Sequence, residues 1–459
     1  MFKIDIPAAA KRLIHLLELD GHTAYIVNGC VRDSLLGRPP HDWDICTSAY
    51  PEEVCELLDR YHIRSIKTGL QHGTVTAHYG MFDYEITTFR IDGEYSDNRR
   101  PDNVEFTDNL FVDLARRDFT INAIACDAES SIMDPFNGIG DLQLRRIRCV
   151  NNPDDRFRED ALRIMRALRF ASTYGFKIEE KTAAAIHRNK DLLKNISAER
   201  IQSELTKILC GEGVLDILLE YKDVMAVIIP ELEPCIGFNQ NNPYHIYDVY
   251  DHIAHAVAFY KGSDISTNMA LLLHDIGKPL CYTEDNGRGH FYGHGVISRD
   301  IAEDVMERLK FDNKTKSEVL TLVFYHDANI NPDNKTVKRW LNKIGPEMLN
   351  KMMFVRIADI MAQSEIDQEL RRDRALGVKC IMKDILAKQQ CFTLKDLAVN
   401  GSDIRSLYVP EGPIIGKVLN HLLDKVIAEE IPNEYDALME EARYYVNERR
   451  TLSILYVIF

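Results

Sequence analysis

Two carboxylates, Asp42 and Asp44, stand two positions apart in the run His41-Asp42-Trp43-Asp44-Ile45, a short way after the glycine turn Val27-Asn28-Gly29-Cys30-Val31-Arg32-Asp33. Alternate residues of a strand share a face, so this spacing predicts that both carboxylates project together while Trp43 and Ile45 face the core. Like charges held side by side repel, and divalent cations between them remove the conflict; hard oxygen donors that leave room for water and phosphate suit Mg²⁺. Such a pair could organise one metal that activates an attacking hydroxyl and another that stabilises a leaving pyrophosphate. Gly29 ahead of a short helix would let backbone N–H groups approach a triphosphate. An isolated Asp-x-Asp also fits a solvated strand end. Glu85 shares a strand face with Asp83 and Thr87, and is either a third metal carboxylate or a surface glutamate.

Arg116 and Arg117 lead into Asp118-Phe119-Thr120-Ile121-Asn122. Guanidinium pairs hold triphosphate oxygens in forked geometry, and Asn122 could reach a ribose hydroxyl. A helix-end ion cluster with Asp118 as the internal partner is the other reading. Within Arg158 to Arg169, Asp160 and Arg163 at i, i+3 predict one helix face bearing an acceptor and a donor, while Leu162, Met165 and Leu168 pack. Together they can imitate the Watson–Crick edge of a base, though a salt-bridged helix looks the same. Residues 145–169 carry eight Arg, no Lys and four acidic residues, a local balance of +4 suited to the phosphates of an RNA end. Farther on come His252, His274-Asp275 after the apolar run Met269 to Leu273, His294, His326 and Asp359. Imidazole and carboxylate donors suit a divalent metal that activates water against a phosphate ester.

The glycine turn with its paired aspartates, the Arg116-Arg117-Asp118 run, Asp134-Pro135-Phe136-Asn137-Gly138 and Glu159-Asp160-x-x-Arg163 resemble, in that order, the motifs of the polymerase β superfamily of nucleotidyltransferases. Within it they are similar to the bacterial-type, or class II, tRNA nucleotidyltransferases that add CCA to tRNA 3′ ends. One departure is Asn28, where that family usually has Gly. The resemblance implies that Asp42, Asp44 and Glu85 are catalytic, with Mg²⁺ on the aspartates. It further implies that Gly29, Arg32, Arg116, Arg117, Asp118 and Asn122 bind the nucleotide. Asp160 and Arg163 would choose the base, with Glu159 orienting the arginine and Arg166 and Arg169 beside them. Residues Arg90 to Phe106 resemble the flexible loop of enzymes able to add the final A. The histidine segment resembles the HD phosphohydrolase superfamily, whose ligands fall on His252, His274, Asp275 and Asp359, with His294 and His326 for a second metal.

The resemblance implies a template-independent enzyme that uses CTP and ATP on the acceptor end of tRNA, and metal-dependent phosphohydrolysis is expected in the HD region. An A-adding enzyme that needs a CC-adding partner, a poly(A) polymerase and a non-catalytic RNA-binding protein are the alternatives.

The elements that must position these residues are legible in outline. Ile6, Ala9, Leu13 and Leu17 have helical spacing, whereas Ala24 to Val27, Trp43 to Cys46, Thr74 to Tyr79 and Phe82 to Phe89 are short strand-like runs. After about residue 152 strand signals nearly vanish, and segments such as Asp160 to Ser172 and Ala198 to Leu209 keep a helical period. The expected fold class is therefore α+β and multidomain: a small head with a mixed sheet over 1–140, a helical neck and body over 141–240, an HD domain over 241–365 and a helical tail over 366–459. Breaks are expected at Asn239 to Pro243, at Asp285 to Gly295 with its four glycines and at Asn329 to Asp333.

The composition of the 459 residues is that of an ordinary globular chain, with 45% hydrophobic and 28% charged residues, which excludes collagen-like and wholly disordered classes. With 56 basic and 71 acidic residues the formal charge is −15, so a nucleic-acid partner requires a local basic patch. Ten cysteines without a C-x-x-C pair argue against a disulfide framework or a zinc ribbon. The N-terminal apolar run is interrupted by Lys11, Arg12, His15 and Glu18, and no apolar stretch is long enough to span a membrane; a cytoplasmic protein is expected. Ser453 to Phe459 is read as an apolar tail docked on the body.

Overall fold

Five strands frame the N-terminal part of the computed structural model: β1 (Ala24–Val27), β2 (Asp44–Thr47), β3 (Arg64–Ile66), β4 (Thr74–Tyr79) and β5 (Phe82–Thr88). The structure describes residues 4–67, 69–70, 73–80, 82–93 and 104–458. Tyr95, Arg99, Arg100 and Pro101 of the expected loop lie outside the described residues, as do the side chains of Ser453 to Phe459 and with them the expected docking of that tail. The sheet runs β3-β4-β5-β2-β1 and is extended by Ala125–Cys126 and Ile132–Met133. Only β2 and β5 are parallel; the other pairs are antiparallel. This is the mixed sheet expected of the head.

Alternation along β5 decides what the sheet presents. Tyr84, Ile86 and Thr88 are buried, so Asp83, Glu85 and Thr87 must face the other way. The helices Ala8–Leu19 and Pro51–Arg60 cover the apolar side, burying Leu13, Ile14 and Leu17 from one and Leu57 and Leu58 from the other. β2 begins at Asp44, one residue later than expected. Ile45 is buried as expected, but Trp43 is only half-buried and Asp42 is exposed ahead of the strand.

Helices dominate from Pro153 onward, and the helix expected through Asp160 is in fact two, Pro153–Glu159 and Leu162–Tyr174. Asp160 separates them in an extended conformation, φ −135° and ψ 103°, and its Oδ1 accepts from the Leu162 N–H at 3.1 Å. A short acidic side chain competes for backbone donors in this way and so favours a helix boundary over a helix interior. The second helix packs against Ala198–Leu209, burying Met165, Leu168, Leu205 and Ile208.

The chain divides into two compact units. One holds Met1–Ile236 with Lys261–Ser263 and Val305–Phe311; the other holds Gly237–Tyr260, Asp264–Asp304 and Asp312–Phe459. In the second, Val249–Phe259, Ile265–Leu273, Asn313–Tyr325 and Asn334–Met361 pack on one another, with Met269 to Leu273 wholly buried. A hairpin, Thr283–Asp285 with Arg288–His290, occupies part of the stretch expected only as a break. Asn286 and Gly287 make its turn at φ 50° and 75°, the paired left-handed conformation that an Asn-Gly dipeptide favours between strands. The tail has its own core around Ile404, Leu422, Leu438 and Ala442. None of the ten cysteines is in a disulfide, and among the described residues no helix is long and apolar enough to cross a membrane.

Asp134 receives the backbone N–H groups of Gly138 and Ile139 at 2.6 and 2.8 Å, so the Asp134-to-Gly138 turn caps the helix Gly138–Gln143. A Cβ at Gly138 would lie 2.2 Å from the Thr120 carbonyl oxygen, inside the segment that carries Asp118 and Asn122. Gly138→Ala is therefore expected to destabilise the first unit by about 2 kcal/mol in urea unfolding, with its secondary structure retained.

Candidate functional site

In the first unit β2 and β5 place Asp44 directly opposite Glu85 in register. Both carboxyls are raised above their ordinary values. For Asp44 the main cause is burial, eased by the Asn28 hydrogen bond and the Arg117 charge and reinforced by Asp42. Glu85 is raised first by burial, then by Asp44 and Asp42. Asp44 and Glu85, both raised by burial and by neighbouring negative charge, form a donor pair that a cation would relieve. Asp42 acts from the exposed side and does not line the cavity in front of the strands.

That cavity, of about 370 Å³, is bounded on one side by Asp44 and Glu85 and on the other by Arg116, Arg117, Asp160 and Arg163. Its arginines are held from behind. Asp113, fully buried on Leu110–Ala115, accepts from Arg116 Nε and Nη2 at 2.9 and 2.7 Å and from Arg117 Nη2 at 2.8 Å. Asp113 rather than Asp118 is thus the internal partner of this pair, and its i, i+3 and i, i+4 spacing was the available sequence signal. Asp118 instead accepts from Arg166 Nε at 2.7 Å and from Asn122 Nδ2 at 3.0 Å.

Glu159 accepts from both Arg156 and Arg163, and Arg163 also donates to the Arg116 carbonyl at 3.2 Å. The carboxylate before Asp160 therefore orients the arginine three residues after it. Asp160 Oδ2 accepts from Arg200 at 2.8 Å. Arg200 also lines the cavity, and nothing in the local sequence pointed to it, because it comes from a helix 40 residues away.

Several other expected residues stand behind the cavity wall. Asn122 is buried between Arg32, which donates to it at 2.6 Å, and Asp118, and does not line the cavity. Arg32 lies over the rings of Phe170 and Tyr174. Arg169 is paired with Glu204 at 2.9 Å and does not line the cavity, nor does Gly29. Of the eight arginines in 145–169, six are paired with Asp141, Asp155, Glu159, Asp118 or Glu204. The expected basic patch is largely paired with acids, leaving Arg145 and Arg146 beside Lys177, Glu179 and Glu180 around a separate surface cleft.

In the second unit four histidines and two aspartates converge. His252, His274, Asp275 and Asp359 form one group and Asp275, His294 and His326 another, each with ligand atoms within 4.8 Å of one another. His252 Nε2 lies 3.1 Å from Asp359 Oδ1 and 3.2 Å from Asp275 Oδ2. His294 and His326 Nε2 lie 3.4 and 3.5 Å from Asp275 Oδ1. Each ring has its Nδ1 on a backbone carbonyl, of Ala362, Leu271, Phe291 and Val323 respectively, at 2.7 to 3.2 Å. A neutral imidazole that donates from Nδ1 carries a lone pair on Nε2.

Yet the Nε2 atoms of His252 and His274 are 3.2 Å apart, and those of His294 and His326 3.0 Å apart. Four Nε2 atoms turned toward one another, around an Asp275 whose buried oxygens find no well-aligned protein donor, make two groups of side chains that could each hold a cation. Lys278, 2.6 Å from Asp275 Oδ2, adds a buried positive charge, and the cluster opens into a cavity of about 470 Å³ bordered by His290, Tyr292 and Gln363.

Comparison with known proteins follows the same division. Residues 24–148 match the family described as the poly A polymerase head domain, 175–236 the RNA and SrmB-binding site of polymerase A, and 295–442 the tRNA nucleotidyltransferase domain 2. A CCA-adding enzyme of Lactococcus lactis subsp. cremoris is 34% identical over 442 residues, 95% of each chain. One from Lactobacillus delbrueckii subsp. bulgaricus is 52% identical over 227 residues, a match that spans only 56% of that relative. Among solved structures, the Bacillus stearothermophilus CCA-adding enzyme in complex with CTP aligns with a TM-score of 0.73 and 29% identity over 96% of this chain and 98% of that one. The Thermotoga maritima CCA-adding enzyme complexed with tRNA aligns with a TM-score of 0.60 at 18% identity, a likeness of fold.

Burial works to raise Asp118, but Arg166 and the hydrogen bonds from Asn122 and Arg166 outweigh it and bring the carboxyl down from 3.8 to about 2. A depressed acid contributes stability above its unfolded-state value and loses it as pH falls through the folded value. Between about pH 4 and about pH 2 the first unit should therefore lose on the order of 2 kcal/mol through this group. Asp118→Asn should flatten that part of the urea-midpoint profile.

Proposed function

The chain belongs to the CCA-adding enzyme family, and from that membership we propose that it completes tRNA 3′ ends with CTP and ATP and no nucleic-acid template. One observation carries this reading: the carboxylates of β2 and β5 and the Asp160–Arg163 pair face a single cavity, so the reacting phosphate and the base would be held together. The nucleotidyltransferase family implies a divalent metal. Asp42, Asp44 and Glu85 would hold Mg²⁺, which when bound acidifies the attacking 3′ hydroxyl and offsets charge on the leaving pyrophosphate. Arg116 and Arg117 bind the triphosphate while Asp113 keeps them from collapsing onto Asp44. Arg163 donates and Asp160 accepts at the base edge, and their partners Glu159 and Arg200 limit the rotamers that could admit a wrong base. Arg145, Arg146 and Lys177 present the remaining positive charge to RNA phosphates.

Division of labour would follow the sequence: catalysis in 1–140, base choice and RNA binding in 141–240, phosphohydrolysis in 241–365, and a separate helical tail. The test gives the protein tRNA lacking CCA and tRNA ending in CC, with CTP, ATP or both, and sizes the products. Three additions ending in A are expected; growth of the CC-ended tRNA alone would make it an A-adding enzyme, and long A runs a poly(A) polymerase. Asp44→Ala should lower the rate at least roughly a thousandfold with both nucleotides while tRNA binding persists. Arg163→Ala should raise misincorporation of UTP or GTP before it abolishes addition.

The converging histidines favour a second reading, a metal-dependent phosphohydrolase in the second unit. His252, His274, Asp275 and Asp359 would hold one cation and His294 and His326, with Asp275 shared, another; a bound cation supplies an acidified water. Expected behaviour is release of phosphate from 2′,3′-cyclic or 2′-phosphate ends that stops on chelation. His274→Ala should abolish release and leave nucleotide addition intact, and joint loss of both activities would contradict two separate sites.

A further inference from the structure

Asn28 sits between β1 and the helix Gly29–Leu35 with φ 68° and ψ −140°, backbone geometry that an L side chain rarely adopts. Most residues would be strained there, and glycine would be relaxed. A side chain kept at such a position is explained when its own contacts offset the strain, and both ends of this amide are engaged. Its Nδ2 donates to Asp44 Oδ2 at 3.1 Å, and its Oδ1 accepts from Arg117 Nη1. Neither contact is available to glycine, and an alanine would carry the strain without either.

The two partners are of opposite charge, line the same cavity and attract each other. A direct Arg117–Asp44 ion pair would occupy the carboxylate and the guanidinium at once, leaving neither for an incoming ligand. An amide placed between them satisfies one hydrogen bond on each while carrying no charge. Asp113 holds Arg117 from the opposite side at 2.8 Å, so the guanidinium is gripped at two points and its position is set.

We propose that Asn28 is a positioning residue: its amide spaces Asp44 from Arg117 and orients the carboxylate toward a divalent cation. This deepens the nucleotidyltransferase reading and rests on it. Hydrogen bonds to a ligating carboxylate commonly change metal affinity by 10–100-fold. The decisive variant is Asn28→Gly, which removes the bridge and relaxes the backbone.

Mn²⁺ binding to the full-length protein is followed by electron paramagnetic resonance, and the head component is defined as the part that Asp44→Ala removes. In Asn28→Gly the midpoint of that component should rise about tenfold, with a melting temperature equal to or above that of the parent. Nucleotide addition should then need a correspondingly higher metal concentration. A midpoint within twofold of the parent would overturn the proposal. So would weakening that appears only with a proportionate fall in melting temperature, since that describes a folding role. If Asp44→Ala removes no Mn²⁺ component, the metal reading of the head falls and this proposal with it. Failure of Asn28 alone is distinguished by a head component that is present and unmoved.

Discussion

Opposite charges that must share a cavity without neutralising each other are the constraint on which the first unit depends. Asp44 and Glu85 face Arg116, Arg117, Arg163 and Arg166 across a small space, and unrestrained side chains would collapse into ion pairs. Buried counter-charges prevent this. Asp113 anchors two arginines and Glu159 another two from behind the wall, while Asp118, itself on the wall, holds a fifth. Removing one member of such a buried pair leaves an uncompensated charge, so the anchors contribute to the fold as well as to the geometry of the site.

The same logic, with a different chemistry, organises the second unit. There each of the four histidines has its Nδ1 on a backbone carbonyl, so the Nε2 atoms are directed before any ligand arrives. Carbonyls can do this because His274 and His326 follow the last turns of their helices, each with Nδ1 on the carbonyl three residues earlier. Orientation of the rings costs no additional side chains, and Lys278 and Gln363, which line the cavity, engage the carboxylates of Asp275 and Asp359 instead.

How far the residues themselves foretold this can be judged element by element. β1 and β4 have the predicted limits, as does the helix Ala198–Leu209, because their apolar residues follow one period and are bounded by clear breaks. The alternation of β5 already put Glu85 on the face away from Tyr84 and Ile86. Where prediction failed, a short-range polar contact had overridden the period: Asp160 bonds the Leu162 N–H and splits a helix whose spacing looked continuous. The hairpin at Asn286-Gly287 went unread because a dense glycine stretch suggests a loop, although its central dipeptide is a turn signal.

Sequence alone determined the chemistry on offer: which carboxylates, guanidiniums and imidazoles exist, their local spacing, and the family order of the motifs. Tertiary structure decided which of them face a common space. Asn122 and Arg32 carry suitable groups yet are committed to each other in the interior, while Arg200, with no local signal, reaches Asp160 from another helix. The basic stretch 145–169 is largely cancelled by acids as distant as Asp118 and Glu204. The physical reason is that a charged side chain's role depends on its partners and its exposure. Both are set by long-range packing that a linear spacing does not contain.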